Sequence, residues 1–102
     1  MKPLGTHNYF VYITTNFAKT VLYIGVTNNL KNRLYQHQQN KEGSDSFTGK
    51  YHCYNLLYFE RFDFIEQAIK REKEIKRWRR EKKDNLISLS NPEWKFLNND
   101  IG

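Results

Sequence analysis

The sequence has little cysteine, proline or glycine, and it has no long apolar run. Cys53 is the only cysteine, which excludes an internal disulfide and a cysteine metal cluster within one chain. No stretch approaches the roughly 20 apolar residues that a membrane-spanning helix needs, and residues 1–8 lack the apolar segment of a signal peptide. We therefore expect a cytoplasmic protein without membrane association, folded as a single domain over residues 1–102 with its core in about 9–97.

Acidic residues are also in the minority. Asp and Glu number 11 against 17 Lys and Arg, so the formal net charge is +6. A basic chain favours polyanionic partners, either nucleic acid or an anionic membrane surface. Aromatic residues, in contrast, reach 16%, and because each ring buries a large area they can build a compact core from few positions.

Three segments rich in β-branched and aromatic residues are predicted to be strands, at residues 9–14, 21–26 and 53–61. The first two are separated by a short polar connection, as in an antiparallel hairpin. A turn centred on Phe17 and Ala18 would place Tyr12 opposite Tyr23. Gly25 interrupts the second strand, and a glycine within a strand indicates a bulge or the close approach of another group.

Helical patterns follow the second and third strands. They predict a helix from a cap at Thr27 or Asn28 to about residue 40, a long helix over 64–82 and a shorter one over 84–89. The segment after Leu97 is expected to be loosely held. The order β-β-α-β-α-α predicts the α+β class, with a small antiparallel sheet flanked by helices.

The first helix carries polar residues on its predicted buried face. Leu30 and Leu34 define that face, and the positions three and seven residues after Leu30 belong to it as well. Arg33 and His37 occupy these positions. They are four residues apart, so their side chains are neighbours on the helix.

The second helix repeats this anomaly. Ile65, Ala68, Ile69 and Ile75 mark its predicted buried face, and Glu72 lies in the middle of it. Burying a charge costs several kcal/mol unless the charge is paired or bound to a metal. An arginine, a histidine and a glutamate directed towards the sheet therefore require a common explanation.

Two explanations stay open on the residues alone. In the structural one, Arg33 and Glu72 form a salt bridge, His37 is a hydrogen-bonded core residue, and Tyr12 and Tyr23 pack by their rings. In the functional one, the residues form a phosphodiesterase site. Glu72 and a substrate phosphate would hold Mg²⁺, which prefers oxygen ligands, and the planar guanidinium of Arg33 would bind phosphate oxygens. A tyrosine or His37 would then take the proton of the attacking water.

The same residues resemble the GIY-YIG nuclease family, particularly its short stand-alone excinuclease-like proteins (the URI domain). The matching segments are Phe10-Val11-Tyr12, Tyr23-Ile24-Gly25, Asn29 to Leu34, His37 and Ala68 to Glu72. Any single motif is weak, but the ordered set covers nearly the whole chain, from about residue 9 to 97.

The resemblance implies a three-stranded antiparallel sheet flanked by helices and hydrolysis at one divalent ion, Mg²⁺ with Mn²⁺ as the alternative. It implies that Glu72 binds the metal and that Gly25 has a structural role. The catalytic set that it implies consists of Tyr12, Tyr23, Arg33, His37 and Glu72.

The segment between Lys70 and Lys83 is rich in basic residues. Lys70, Lys73, Arg77 and Arg80 have helical spacing and are predicted to form one positive stripe that contacts the nucleic-acid backbone. Lys50, at the end of the loop between the first predicted helix and the third predicted strand, is a weaker candidate for the rim of the substrate site. A solvated helix face is the ordinary alternative for such a run.

The residues and the resemblance together predict a metal-dependent endonuclease, with DNA favoured over RNA as the substrate although the sequence does not distinguish the two. By analogy with the family its role would be in repair or recombination, with a partner protein to direct it, because we recognise no targeting domain. The alternative is a basic module that binds nucleic acid without cutting it. A protein-interaction domain built on Trp78 and Trp94 is a third interpretation.

Overall fold

The computed structural model describes residues 8–39 and 51–101. Within them the strands are β1 (Tyr9–Thr15), β2 (Leu22–Thr27) and β3 (Asn55–Phe62), and the helices are α1 (Leu30–Gln39), α2 (Ile65–Lys76) and α3 (Arg80–Ser90), followed by a 3₁₀ turn at Asn98–Asp100. The sheet is antiparallel with the order β2-β1-β3. The predicted α+β class is confirmed. Over the described ranges, none of the helices has the length and apolar character needed to cross a membrane.

The β1–β2 hairpin differs in register from the prediction by two residues. Tyr12 pairs with Gly25, and Tyr23 pairs with Thr14. The reason is the connection, in which the Asn16 side chain accepts backbone N–H groups at the far end of the loop at 2.8 and 3.1 Å. Because side chains alternate with a period of two, this even shift leaves both tyrosines on the same face of the sheet.

The two faces of the sheet bury separate apolar clusters. On one face, residues of β1, β2 and β3 pack against α2 and α3; the buried members are Val11, Ile13, Ile24, Leu57, Ala68, Ile75 and Ile87. On the other face, residues of β1 and β3 pack against α1; the buried members are Tyr12, Leu30, Leu34 and Leu56. Helix α1 therefore covers one face of the sheet, and α2 and α3 cover the opposite face.

The basic segment forms two helices, so the predicted single helix over 64–82 is wrong. The N–H groups of Arg77 and Trp78 bond to carbonyls three residues earlier at 3.2 and 3.0 Å, and this tighter turn ends α2. Arg79 is extended, with φ −66° and ψ 158°. The break allows Trp78 to pack against the core, with Arg71 and Lys82 lying 5.1 and 4.3 Å from the centre of its ring.

The segment after α3 is attached to β3, which corrects the expectation of a loosely held tail. The N–H of Leu97 donates to the Leu56 carbonyl at 2.7 Å. The side chain of Asn98 accepts the Leu56 N–H at 2.8 Å and donates to the Tyr54 carbonyl at 2.8 Å. In the described part of the chain β3 is an edge strand, and these bonds satisfy backbone groups on its unpaired side.

Candidate active site

A short capped turn sets the position of α1 on the sheet. The Asn29 side chain caps the helix by accepting the Asn32 N–H at 3.0 Å, and Thr27 supports it by accepting the Asn29 N–H at 3.1 Å. The predicted cap at Thr27 or Asn28 is therefore wrong. With α1 beginning at Leu30, the positions of Arg33 and His37 turn towards the sheet, as the periodicity predicts.

Tyr12 is the centre of a polar cluster between α1 and the sheet. Its side chain is buried, and its hydroxyl lies 2.9 Å from Nε2 of His37. Nε of Arg33 donates to the same hydroxyl at 3.3 Å. The guanidinium can only donate, so the phenol oxygen accepts from Arg33, and His37 is a second hydrogen-bond partner of the same hydroxyl. The Tyr23 ring completes the cluster, with its centre 6.1 Å from that of Tyr12 and 5.5 Å from that of His37.

Gly25 makes room for the Tyr12 ring. A Cβ atom at Gly25 would lie 2.4 Å from the Tyr12 hydroxyl and 2.6 Å from its Cζ, far inside van der Waals contact. The glycine within β2 thus marks the close approach of another group, as predicted. Any larger residue at this position would displace the phenol that holds Arg33.

The environment of the cluster sets its charges. Burial raises the pKa of Tyr12 to about 12, although the hydrogen bond from Arg33 opposes the shift. Burial, and to a lesser extent the nearby Arg33 charge, lowers the pKa of His37 to about 4. The hydrogen bond to Tyr12 raises the pKa of Arg33. At neutral pH the cluster therefore holds a neutral phenol, a neutral imidazole and a cationic guanidinium.

The guanidinium of Arg33 extends from this cluster to a surface cavity of about 410 Å³ at the edge of β2. Its Nη1 donates to Gln36 at 3.2 Å, a partner that the sequence did not indicate. The cavity is also lined by residues of β1, β2, the β2–α1 turn, α1 and the start of α2, namely Tyr9, Val26, Thr27, Asn28, Asn29, Asn32 and Ile65. A partly exposed cation thus meets solvent at a concave edge.

Glu72 does not pair with Arg33. Within the described residues its ion-pair partner is Lys76, at 3.4 Å, and its side chain is 20% exposed. The Arg33–Glu72 salt bridge of the structural explanation is therefore wrong, because the two residues lie on helices that cover opposite faces of the sheet. Of the four positions predicted to be buried beside Glu72, Ala68 and Ile75 are buried whereas Ile65 and Ile69 are exposed.

The direction of α2 determines how far Glu72 lies along the sheet. At the start of α2, Ile65 lines the same cavity as Val26. Just after its end, Arg80 bonds to the β1–β2 connection, so α2 runs antiparallel to β2. Glu72 lies about 10 Å along the helix from Ile65. Tyr23 lies three residues before Val26 in β2, which is also about 10 Å along the strand. Glu72 and Tyr23 are therefore roughly level along the edge strand.

The side chains present fit a single hard divalent ion. Within residues 8–39 and 51–101, no group of three or more His, Cys, Asp or Glu residues could enclose a metal. Mg²⁺ does not need such a group, because it commonly binds through one or two carboxylates, substrate phosphate and several waters. Glu72 is a partly exposed carboxylate that could serve as this ligand.

The predicted basic stripe is only partly formed. Lys70, Lys73 and Arg77 are exposed on α2 and line a shallow surface cavity together with Glu74 and Trp78. Trp78 is partly buried against the core, which is the packing role that its aromatic ring favours. Lys50 lies outside the described residues.

Arg80 does not continue the stripe, because it belongs to α3. Its guanidinium donates to the carbonyls of Thr20 and Lys19 at 2.8 and 3.1 Å and pairs with Asp84 at 2.8 Å. These three partners hold the β1–β2 connection against the start of α3. Arg80 is therefore a structural clamp, and the prediction of one continuous stripe through Arg80 is wrong; its contact with nucleic acid stays a prediction.

Comparison with known proteins agrees with this architecture. The GIY-YIG catalytic domain matches residues 8–85. A UPF0213 protein of Syntrophus aciditrophicus is 37% identical over 84 residues, which cover 82% of this chain and 93% of that protein. A UPF0213 protein of Bacillus pumilus is 35% identical over 81 residues, covering 79% and 80% of the two chains.

A solved structure shares the fold. The solution NMR structure of a UPF0213 protein from Bacillus halodurans matches with a TM-score of 0.53 and 24% identity, over 92% of this chain and 94% of that one. Membership of the GIY-YIG family implies nuclease activity in general and a nucleic-acid substrate. On the extent of these matches, the chain belongs to the GIY-YIG family and, within it, to the stand-alone UPF0213 proteins.

Proposed function

We propose that this protein is an endonuclease that hydrolyses phosphodiester bonds of DNA with the help of one divalent metal ion. The observation that carries the proposal is the open cavity at the end of β2, which the Arg33 guanidinium lines together with Ile65, the first residue of the helix that carries Glu72. Arg33 and Glu72 are also not paired with each other. This supports the proposal, because a salt bridge between them would leave neither group available to the substrate.

Arg33 is the group that binds the phosphate in this proposal. A guanidinium presents a planar fork of donors that matches two phosphate oxygens, and it is best placed where negative charge grows in the transition state. Tyr12 and Gln36 each take one of its N–H groups, which restrains the side chain before substrate arrives. Such restraint lowers the cost of ordering the arginine during the reaction.

Tyr12 and His37 are positioning residues. Both are buried, so neither touches the substrate directly. With a pKa of about 12, Tyr12 keeps its proton at neutral pH, and its hydroxyl is hydrogen-bonded to the neutral His37. Tyr23 is partly exposed and lies next to both, so its hydroxyl is the one that contacts the attacking water.

Glu72 would hold the metal ion, Mg²⁺ or alternatively Mn²⁺. When bound, the ion supplies charge stabilisation on the phosphate and lowers the pKa of bound water. Lys76 forms an ion pair with Glu72, and this pair reduces the free-energy cost of a partly buried carboxylate. Lys70, Lys73 and Arg77, exposed further around α2, would contact the nucleic-acid backbone.

The resemblance to excinuclease nuclease domains supports DNA over RNA as the substrate and repair or recombination as the process. It also supports a partner that directs the protein to its target. A panel of DNA and RNA substrates tests the choice of DNA directly.

The test is metal-dependent cleavage of labelled duplex, flapped, branched and single-stranded DNA and of RNA, with Mg²⁺, Mn²⁺ or EDTA. We expect cleavage of DNA by the wild type and its loss in Glu72→Gln. The matched control is Glu66→Gln, an exposed carboxylate on the same helix, which should cleave normally. Salt-sensitive binding with no cleavage under any metal would overturn the proposal in favour of a non-catalytic binding module.

A further inference from the structure

A second cavity lies on the other side of the α1 N-terminus and has no role in the proposed chemistry. It encloses about 430 Å³ between α1 and the β1 and β3 strands. Asn28 and Asn29 line both this cavity and the one that holds Arg33, so the two are adjacent. A volume of this size is within the usual range for small-ligand sites.

Aromatic side chains form one wall of this cavity. Phe10 and Phe59 lie edge to face, with ring centres 6.1 Å apart and planes 68° apart. The Phe59 side chain is 39% exposed, which leaves part of its ring uncovered. Leu30 and Ile101 extend the apolar lining. A flat, apolar ligand would cover this surface and gain hydrophobic free energy.

Polar groups are placed around the same cavity. Asn28 is exposed, and within the described residues its side chain has no hydrogen-bond partner, so its amide can both donate and accept. Lys31 is exposed on the same lining and carries a positive charge. An aromatic wall, a free amide and a cation together suit a nucleotide, whose base stacks and whose backbone is anionic.

We propose that this cavity binds one unstacked nucleobase of the substrate, from a nucleotide next to the phosphate held by Arg33. This inference rests on the proposed function and adds the contact that sets the register of the strand across the site. A base within an intact duplex is stacked on both sides and cannot enter, so the base must be unpaired or rotated out of the helix. Phe59 supplies the stacking surface and Asn28 contacts the edge of the base.

The test measures binding in EDTA, so that it does not depend on cleavage. Fluorescence anisotropy with short single-stranded DNA compares the wild type, Phe59→Ala and Phe59→Trp, with Phe17→Ala as the control, because Phe17 is 85% exposed in the β1–β2 connection. Base stacking contributes roughly 1–3 kcal/mol, so Phe59→Ala should weaken binding by at least about fivefold. Phe59→Trp and Phe17→Ala should bind like the wild type.

An abasic scan separates stacking from a general effect on the fold. A single abasic nucleotide is moved along the DNA, and for the wild type one position should weaken binding by about fivefold or more. Phe59→Ala should be insensitive to that position. If the wild type cleaves DNA with Mg²⁺ but the scan is flat, or is unchanged in Phe59→Ala, the base site is wrong and the nuclease stands. If the wild type neither binds nor cleaves, both proposals fail.

Discussion

His37 should make the stability of this protein strongly dependent on pH below neutrality. Its imidazole is 2% exposed and hydrogen-bonded to the Tyr12 hydroxyl, and burial lowers its pKa from 6.5 to about 4. The unfolded chain therefore binds a proton between these two values while the folded chain does not. Stability is fully present above pH 6.5 and is lost as the pH falls towards 4.

The size of the effect follows from the two pKa values. Between pH 7 and pH 5 the unfolded state gains about 2 kcal/mol relative to the folded state from this one group. For a domain of this length, that corresponds to a decrease in Tm of roughly 8–16 °C. Chemical unfolding of the wild type at a series of pH values measures the loss directly.

The variant His37→Gln isolates this contribution. Glutamine keeps an acceptor for the Tyr12 hydroxyl but does not titrate, so the stability gap between wild type and variant should narrow by about 2 kcal/mol between pH 7 and pH 5. Parallel curves for the wild type and His37→Gln would refute the assignment of a buried neutral imidazole.

Three further predictions concern the frame of the site and its charged surface. Gly25→Ala should destabilise the fold by roughly 1–3 kcal/mol, because the new Cβ would overlap the Tyr12 ring, and wild-type stability in thermal unfolding would contradict this. Arg80→Ala should also destabilise the fold by about 1–3 kcal/mol, because the hydrogen bonds of the clamp are lost. It should leave the salt dependence of DNA binding unchanged. A shallower salt dependence would instead make Arg80 a phosphate contact. Removing the charges of Lys70, Lys73 and Arg77 together should reduce the slope of log K against log salt by up to about 3 in titrations at several salt concentrations, and an unchanged slope would exclude this surface.

Periodicity was sufficient to predict the α1 side of the site. Arg33 and His37 follow Leu30 at helical spacing, so the face that they share was determined by the residues around them. Alternation along the strands likewise determined which face carries Tyr12 and Tyr23. The register was wrong by two residues because it depends on the hydrogen bonds that Asn16 makes within the connection, and alternation carries no information about them.

The α2 side of the site could not be predicted in the same way. Helical periodicity shows which side of α2 is buried, but it does not show which face of the sheet the helix covers. The structural explanation therefore pairs Glu72 with Arg33 in a salt bridge, whereas α2 packs on the opposite face of the sheet from α1. The break before Arg80 was also unpredictable, because the segment contains no glycine or proline and the packing of Trp78 is a tertiary effect.

In the proposed function Arg33 and Glu72, although they lie on opposite sides of the sheet, act on one phosphate at the β2 edge. The most direct test is the single-turnover cleavage rate of Arg33→Lys, Glu72→Gln and the double variant, at saturating DNA and Mg²⁺. Residues that act together in one transition state have strongly non-additive effects. We predict that the double variant loses little more activity than the worse of the two single variants. Losses that multiply would show that the two residues act independently and would contradict a shared site.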